Sequence, residues 1–141
     1  MNLAHLRFLH PDPLPIPTRL ARGWRITVYE AAGASVRLGR RSAAVDALLK
    51  TARQGAFIGA WNPMSRAMPR GWNDHALARL RRVARMPFAE GTGHAARPRW
   101  SEDHLLVLGD IRRIAVLARR FRQHAILRVR LRAPSRLLVL R

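Results

Sequence analysis

Residues that can contact a ligand lie at the end of a short apolar run, Ala56–Trp61, and just after it. The run is too short for a helix and stops at Asn62 and Pro63, so we interpret it as a central strand that leads into a loop. Ligands of open α/β sheets bind beyond the carboxyl ends of the strands. We therefore predict a ligand pocket at this loop, where Asn62 offers an amide, Ser65 a hydroxyl and Trp61 a ring for stacking.

Three residues farther along the chain are candidates for the same pocket: Trp100, Glu102 and Gln123. Trp100 offers a second ring for stacking, and Glu102 belongs, with Asp103 and His104, to a local cluster that suits a general base. A structural role is the alternative for these residues, because a Trp often covers a core and a histidine that begins a buried strand is usually hydrogen-bonded. An Asn before Pro likewise forms an Asx turn.

Several kinds of reaction centre are excluded by residues or motifs that the chain lacks. It has no cysteine, so disulfides, thiolate metal sites and cysteine nucleophiles cannot form. The six histidines show no zinc-binding spacing, and we predict no metal site. No serine lies in a Gly-x-Ser-x-Gly turn, and no glycine loop of the Walker or dinucleotide-binding type occurs. We therefore predict no cofactor, and we expect a binding protein rather than an enzyme.

Positive charge is the strongest signal in the composition. The 141 residues include 27 basic and 8 acidic ones, for a formal net charge of +19, and Lys50 is the only lysine. A nearly single-signed surface favours nucleic acid or another polyanion as the partner. The alternative is a solvated surface that reflects the arginine bias of a GC-rich genome. The predicted anion-binding stripe lies on one helix and the strand after it: Arg112, Arg113, Arg119, Arg120, Arg128, Arg130 and Arg132.

Apolar periodicity predicts the elements that position these residues. Residues 24–29 alternate as a strand, and residues 88–99 are interpreted as a loop because they hold two glycines and a proline without a period. The predicted order ββαβαβαββ indicates one α/β (α+β) domain, residues 24–141, with a mixed sheet and helices packed on it. Residues 1–23 contain alternating prolines and are predicted to form an extended N-terminal arm.

Several segments resemble one family of small bacterial proteins. The motif Ala60-Trp61-Asn62-Pro63-Met64-Ser65 is followed by Trp100-Ser101-Glu102, by the strand Leu106-Val107-Leu108, and by a helix-to-strand junction from Ala118 to Ile126. In this order, over residues 24–129, these pieces resemble domain-of-unknown-function family 3293. The resemblance implies a fold and a candidate site, and it implies no reaction.

The expected function is binding of the RNA or DNA backbone without sequence-specific readout, in the cytoplasm. An alternative is a small-molecule binder or enzyme with its pocket at the Trp61-Asn62-Pro63 loop. A further alternative is an interaction module that docks on a ribonucleoprotein or an acidic protein through the N-terminal arm. The chain has no apolar run of about 18 residues, so no transmembrane segment is expected. The oligomeric state stays open.

Overall fold

The computed structural model describes residues 18–140, which form four α-helices and seven β-strands. The helices are α1 Thr18–Ile26, α2 Ala43–Leu49, α3 Arg70–Val83 and α4 Ile111–Arg120. The strands are β1 Val28–Ala31, β2 Ala34–Val36, β3 Gln54–Gly59, β4 Phe88–Ala96, β5 Arg99–Leu108, β6 Ala125–Arg130 and β7 Arg136–Val139. Short 3-10 turns follow α2, at Lys50–Ala52, and β3, at Pro63–Ser65.

The seven strands form one curled sheet in the order β2-β1-β4-β5-β3-β6-β7. The predicted α/β class is confirmed, but the predicted mixed sheet is wrong, because every strand pair among residues 18–140 is antiparallel. Helix α4 joins β5 to β6, which run in the same direction, as a helical crossover requires. However, β3 lies between these two strands and pairs with both of them. Helical connections therefore occur here without parallel pairing.

Apolar residues cover both faces of the central strands. Leu105 and Val107 of β5 lie in a core with α3 and α4, whereas Leu106 lies in a second core with α2. Successive side chains of a strand point to opposite faces, so a strand buried on both sides becomes a continuous apolar run. That is the pattern of β3 as well, where Phe57 and Ile58 contribute to different cores.

Strand β4 replaces the loop that the sequence predicts over residues 88–99. Two glycines interrupt its apolar pattern for a packing reason. A Cβ on Gly91 would lie 2.5 Å from the carbonyl oxygen of Glu30, and a Cβ on Gly93 would lie 2.5 Å from Cε1 of His104. Glycine inside a strand often marks such a close approach. These glycines therefore belong to a paired strand, and interpreting them as turn residues is wrong.

Helix α1 replaces the first part of the predicted strand over residues 24–29. Leu20 and Trp24 are one helical turn apart, and the Thr27 hydroxyl donates a 2.6 Å hydrogen bond to the Gly23 carbonyl at the end of the helix. Strand pairing begins only at Val28. Of the predicted arm, residues 1–17 lie outside the described residues, and the proposed docking through that arm stays a prediction.

Ser135 connects the two ends of the curled sheet. Its hydroxyl donates to the Arg37 carbonyl at 2.7 Å, and the Gly39 N–H donates to its carbonyl at 3.1 Å. These bonds tie the loop after β2 to the turn between β6 and β7. Ser135 is buried by this contact. None of the helices within residues 18–140 is long and apolar enough to cross a membrane.

Candidate functional site

A cavity of about 710 Å³ lies on the face of the sheet that also carries α2. Tyr29, Phe57 and Leu127 line the cavity and also belong to the α2 core, which places the cavity on this face. Helix α1 contributes Leu20 and Trp24 to its wall. The six residues that the sequence predicts for the pocket all line this one cavity: Trp61, Asn62, Ser65, Trp100, Glu102 and Gln123.

Asn62 is the hydrogen-bonding centre of the loop that follows β3. Its Oδ1 accepts from the Met68 N–H and from Nδ2 of Asn73, each at 3.0 Å, and its Nδ2 donates to Oε1 of Glu102 at 2.9 Å. Its backbone N–H donates to Oδ1 of Asn73 at 3.0 Å. The backbone of Asn62 is left-handed, with φ of 47°, a conformation that Asn tolerates better than most residues. Asn62 therefore shapes the loop and also holds the carboxylate of Glu102.

Glu102 supplies the carboxylate of the cavity. Its side chain is 30% exposed, and its Oε2 lies 3.7 Å from Nε2 of His104. Burial alone raises the pKa of Glu102, but the nearby imidazole of His104 and the hydrogen bond from Asn62 outweigh burial, so that the pKa lies below its ordinary value. Glu102 is thus an ionised acceptor at neutral pH.

This lowered pKa predicts that the stabilisation from Glu102 is lost in acid. A carboxyl whose pKa is lower in the folded state stabilises the fold above its unfolded pKa of about 4.3, and this contribution disappears as the pH falls through the folded value. We expect the difference in unfolding free energy between the native protein and Glu102→Gln to be largest near neutrality and to shrink below about pH 4. Urea denaturation at several pH values measures it. A difference that stays constant with pH would contradict the assignment.

His104 packs beside Glu102 in the space that glycines leave open. Its ring stacks on Tyr29 with centroids 5.9 Å apart, and a Cβ on Gly59 would lie 3.1 Å from its Cδ2. Within the described residues, the buried Nδ1 of His104 has no hydrogen-bond partner. From the sequence, His104 is either part of a general-base cluster with Glu102 and Asp103 or a hydrogen-bonded histidine at the start of a buried strand. The glycines on neighbouring strands are the signal that a large side chain lies across them.

Gly93→Ala is expected to destabilise the protein by about 2 kcal/mol, because the added methyl group collides with the buried ring of His104. The double variant Gly93→Ala/His104→Ala should be less destabilised than the sum of the two single variants, by about 1 kcal/mol, because the colliding ring is gone. Denaturant unfolding of the four proteins measures this coupling. Additive effects would show that His104 is not the group that requires glycine at this position.

Gln123 connects the loop to the junction between α4 and β6. Its Nε2 donates to the carbonyls of Trp61 at 3.1 Å and Phe121 at 3.0 Å. Next to it, the Arg122 carbonyl accepts a 2.7 Å bond from the Met64 N–H. These bonds fix the strand-end loop against the junction, so the first and the last of the segments that carry the family resemblance meet in space.

Aromatic side chains form much of the remaining wall. Trp61 is buried, its Nε1 has no hydrogen-bond partner among residues 18–140, and the Arg70 guanidinium lies 5.6 Å from the centre of its ring. Trp24 and Tyr29 also line the cavity, although no motif in the sequence points to them as pocket residues. The spacing of Leu20 and Trp24 could have indicated a helix, but no sequence pattern shows that this helix lies over the sheet.

The seven arginines of the predicted stripe lie on α4, on β6 and in the turn after β6, and they differ in exposure. Arg128 and Arg130 lie near Arg136, which was not predicted: burial first, and then the charges of Arg130 and Arg136, lower the pKa of Arg128. Arg132 follows β6, and its backbone N–H donates to Oδ2 of Asp46 on α2. The α4 arginines include Arg112, Arg113 and Arg120, which are exposed, and Arg119, which is partly buried.

Comparison with known proteins identifies the family segment. Neither the curated proteins nor the solved structures include a significant match. Residues 58–126 match the family model described as Protein of unknown function (DUF3293). The match begins in β3 and ends in β6, so it includes the Asn62 loop, Glu102 and Gln123 and leaves out α1. It confirms the resemblance to domain-of-unknown-function family 3293 over these residues.

Proposed function

We propose that the protein binds a small organic ligand in the cavity, through a planar ring whose hydrogen-bond donors meet Glu102. The observation that carries this proposal is the ionised, mostly buried Glu102, which Asn62 holds by a hydrogen bond at the cavity wall beside His104. Each carboxylate oxygen has two lone pairs, so Glu102 can accept further hydrogen bonds beyond those from the protein. Desolvated charge-assisted bonds of this kind are strong and directional.

The aromatic lining of the cavity favours a planar ligand. Trp24, Trp61 and Trp100 come from three separate segments and all line it. Ligand sites are concave, largely apolar and aromatic, with a few converging polar groups. A volume of about 710 Å³ lies within the range of such sites.

Benzamidine is a direct probe of this chemistry, because its amidinium group presents two parallel donors on a flat ring. We expect it to quench tryptophan fluorescence on binding, and we expect Glu102→Gln to weaken binding by about ten- to hundredfold, the value of a hydrogen bond to a charged group. Glu30→Gln is the matched control, because Glu30 is exposed and lies outside the cavity. Equal binding to all three proteins, or no binding to any, would reject the proposal.

A second candidate function is binding of nucleic-acid backbone at Arg128, Arg130 and Arg136. These like charges lie close enough to lower the pKa of Arg128, and a phosphate placed among them would relieve their repulsion. Arg128 and Arg136 are directly paired across β6 and β7. Two members of this cluster, Arg128 and Arg130, belong to the predicted stripe.

Fluorescence anisotropy with single- and double-stranded RNA and DNA over a salt series tests this candidate. Phosphate neutralisation predicts a steep loss of affinity with salt. Replacing the three clustered arginines by Gln should reduce both affinity and salt dependence more than removing three exposed arginines elsewhere, namely Arg40, Arg41 and Arg82. Equal losses of affinity in the two triple variants would show that net charge, and not the cluster, accounts for binding. An affinity that does not change with salt would reject the candidate function.

A further inference from the structure

We infer that the ligand of the cavity is a guanine nucleotide, with the base at Glu102 and the phosphate at the arginines beside the cavity. This inference rests on the proposed function and names its ligand class. The charge that lines the cavity is opposite in sign to the charge of the surrounding protein. Among the described residues that line the cavity, Glu102 is the only acid and there is no arginine or lysine. The protein around it carries a net charge of +19.

The acceptor inside the cavity selects among bases. Oε1 of Glu102 accepts from Asn62 at 2.9 Å, and Oε2 lies 3.7 Å from Nε2 of His104, which is beyond hydrogen-bond distance, so both oxygens keep free lone pairs. The Watson–Crick edge of guanine presents two adjacent donors, N1–H and the 2-amino group, which match two carboxylate oxygens. Adenine and cytosine place a ring acceptor beside their amino group, and a carboxylate repels that acceptor.

Aromatic groups fit the rest of a base. A nucleobase stacks on aromatic side chains whatever its sequence, and Trp61 and Trp100 both line the cavity beside Glu102. Nε1 of Trp61 is enclosed by protein atoms, so the tryptophans contribute ring surface for stacking.

Arginines next to the lining residues suit the phosphate. Arg70 lies over the ring of Trp61 at 5.6 Å, and its Nε lies 3.5 Å from Oδ2 of Asp74. Its side chain is 77% exposed, so the terminal nitrogens of the guanidinium can still meet a phosphate. Arg122 is exposed and stands between Phe121 and Gln123, and its carbonyl is bonded to Met64 of the cavity wall. Guanidinium groups bind phosphate through paired donors. A ligand with donors at one end and a phosphate at the other is complementary to both regions.

The test titrates the full chain with guanosine monophosphate, adenosine monophosphate, guanosine and benzamidine, with heat of binding as the readout. We expect the guanine nucleotide to bind at least tenfold tighter than the adenine nucleotide, and Glu102→Gln to abolish that preference. Arg70→Gln/Arg122→Gln should weaken the guanine nucleotide severalfold and leave guanosine unchanged. Arg40→Gln/Arg82→Gln, which removes the same charge from exposed positions, is the control.

A short single-stranded RNA with one terminal guanosine phosphate distinguishes the two sources of this chemistry. Tighter binding of the RNA than of the free nucleotide would assign a nucleic-acid end as the ligand, and the reverse would assign the free nucleotide. Equal affinity for guanine and adenine nucleotides would overturn the inference, and benzamidine binding that depends on Glu102 would then leave the proposed function standing. If Glu102→Gln changes neither nucleotide nor benzamidine binding, both fail.

Discussion

Asn62→Ala is expected to lower the free energy of unfolding by about 3 to 5 kcal/mol, because it removes three side-chain hydrogen bonds at once. The Met68 N–H loses its acceptor, while Nδ2 of buried Asn73 keeps only its 3.3 Å hydrogen bond to the Met68 carbonyl, and an unsatisfied buried donor costs about 1 to 3 kcal/mol. Alanine is also less tolerant than Asn of the left-handed backbone at this position, where φ is 47°. Glu102 would in addition lose the amide that positions it.

Two further variants separate these contributions in urea denaturation. Asn62→Gly removes the same hydrogen bonds but tolerates a positive φ, so it should be less destabilising than Asn62→Ala by about 1 kcal/mol. Ser65→Ala changes an exposed residue of the same loop and should stay within about 0.5 kcal/mol of the native protein. If Asn62→Ala is as mild as Ser65→Ala, Asn62 does not organise the loop.

Gly55→Ala is the second large effect that we expect, a destabilisation of about 3 kcal/mol. Gly55 is buried in β3, and a Cβ on it would collide with the carbonyl oxygen of Val107 and come within 3.3 Å of Leu108. The colliding atom belongs to the backbone of β5, which is paired with β3 in the centre of the sheet. Relief therefore requires two paired strands to move apart, which places the cost at the upper end of the overpacking range.

Gly71→Ala is the matched control for this variant. Gly71 is exposed in α3, and nothing lies within 4 Å of the position where its Cβ would be. Because alanine favours a helix over glycine, the same chemical change should stabilise the protein here by about 0.5 kcal/mol. Thermal or urea unfolding of both variants gives the comparison. A loss of less than about 1 kcal/mol for Gly55→Ala would mean that the strands separate more easily than their packing indicates.

The candidate site could be predicted from the sequence where a strand end defines it. The apolar run before Asn62 identifies a central strand, and the strand end identifies Trp61, Asn62 and Ser65 as pocket residues. Trp24 and Tyr29 could not be found in this way. Their segment alternates as a strand does, while the helix that carries Trp24 depends on covering a cavity built by residues far along the chain. Tertiary contacts decide such cases.

The class of the fold could be predicted from the sequence, but the pairing of its strands could not. Helical and apolar periods locate α2, α3, α4 and β3, because these elements bury one regular set of side chains. The pairing of β3 with both β5 and β6 cannot be inferred from periodicity, since a strand buried on both faces gives the same apolar run beside parallel or antiparallel neighbours. Strand β4 is missed because Gly91 and Gly93 look like turn residues in the sequence. The residues that require glycine there, Glu30 and His104, lie on neighbouring strands.

The contact at Ser135 has a consequence for the kinetics of folding. It joins residues 96 and 98 positions apart in the chain, and the entropy of closing so long a loop must be overcome before the contact contributes. We expect this closure to form after the folding transition state. Ser135→Ala should then accelerate unfolding severalfold and leave the refolding rate nearly unchanged. Stopped-flow measurements in urea separate the two rates, and an equally slowed refolding rate would place the closure within the folding nucleus.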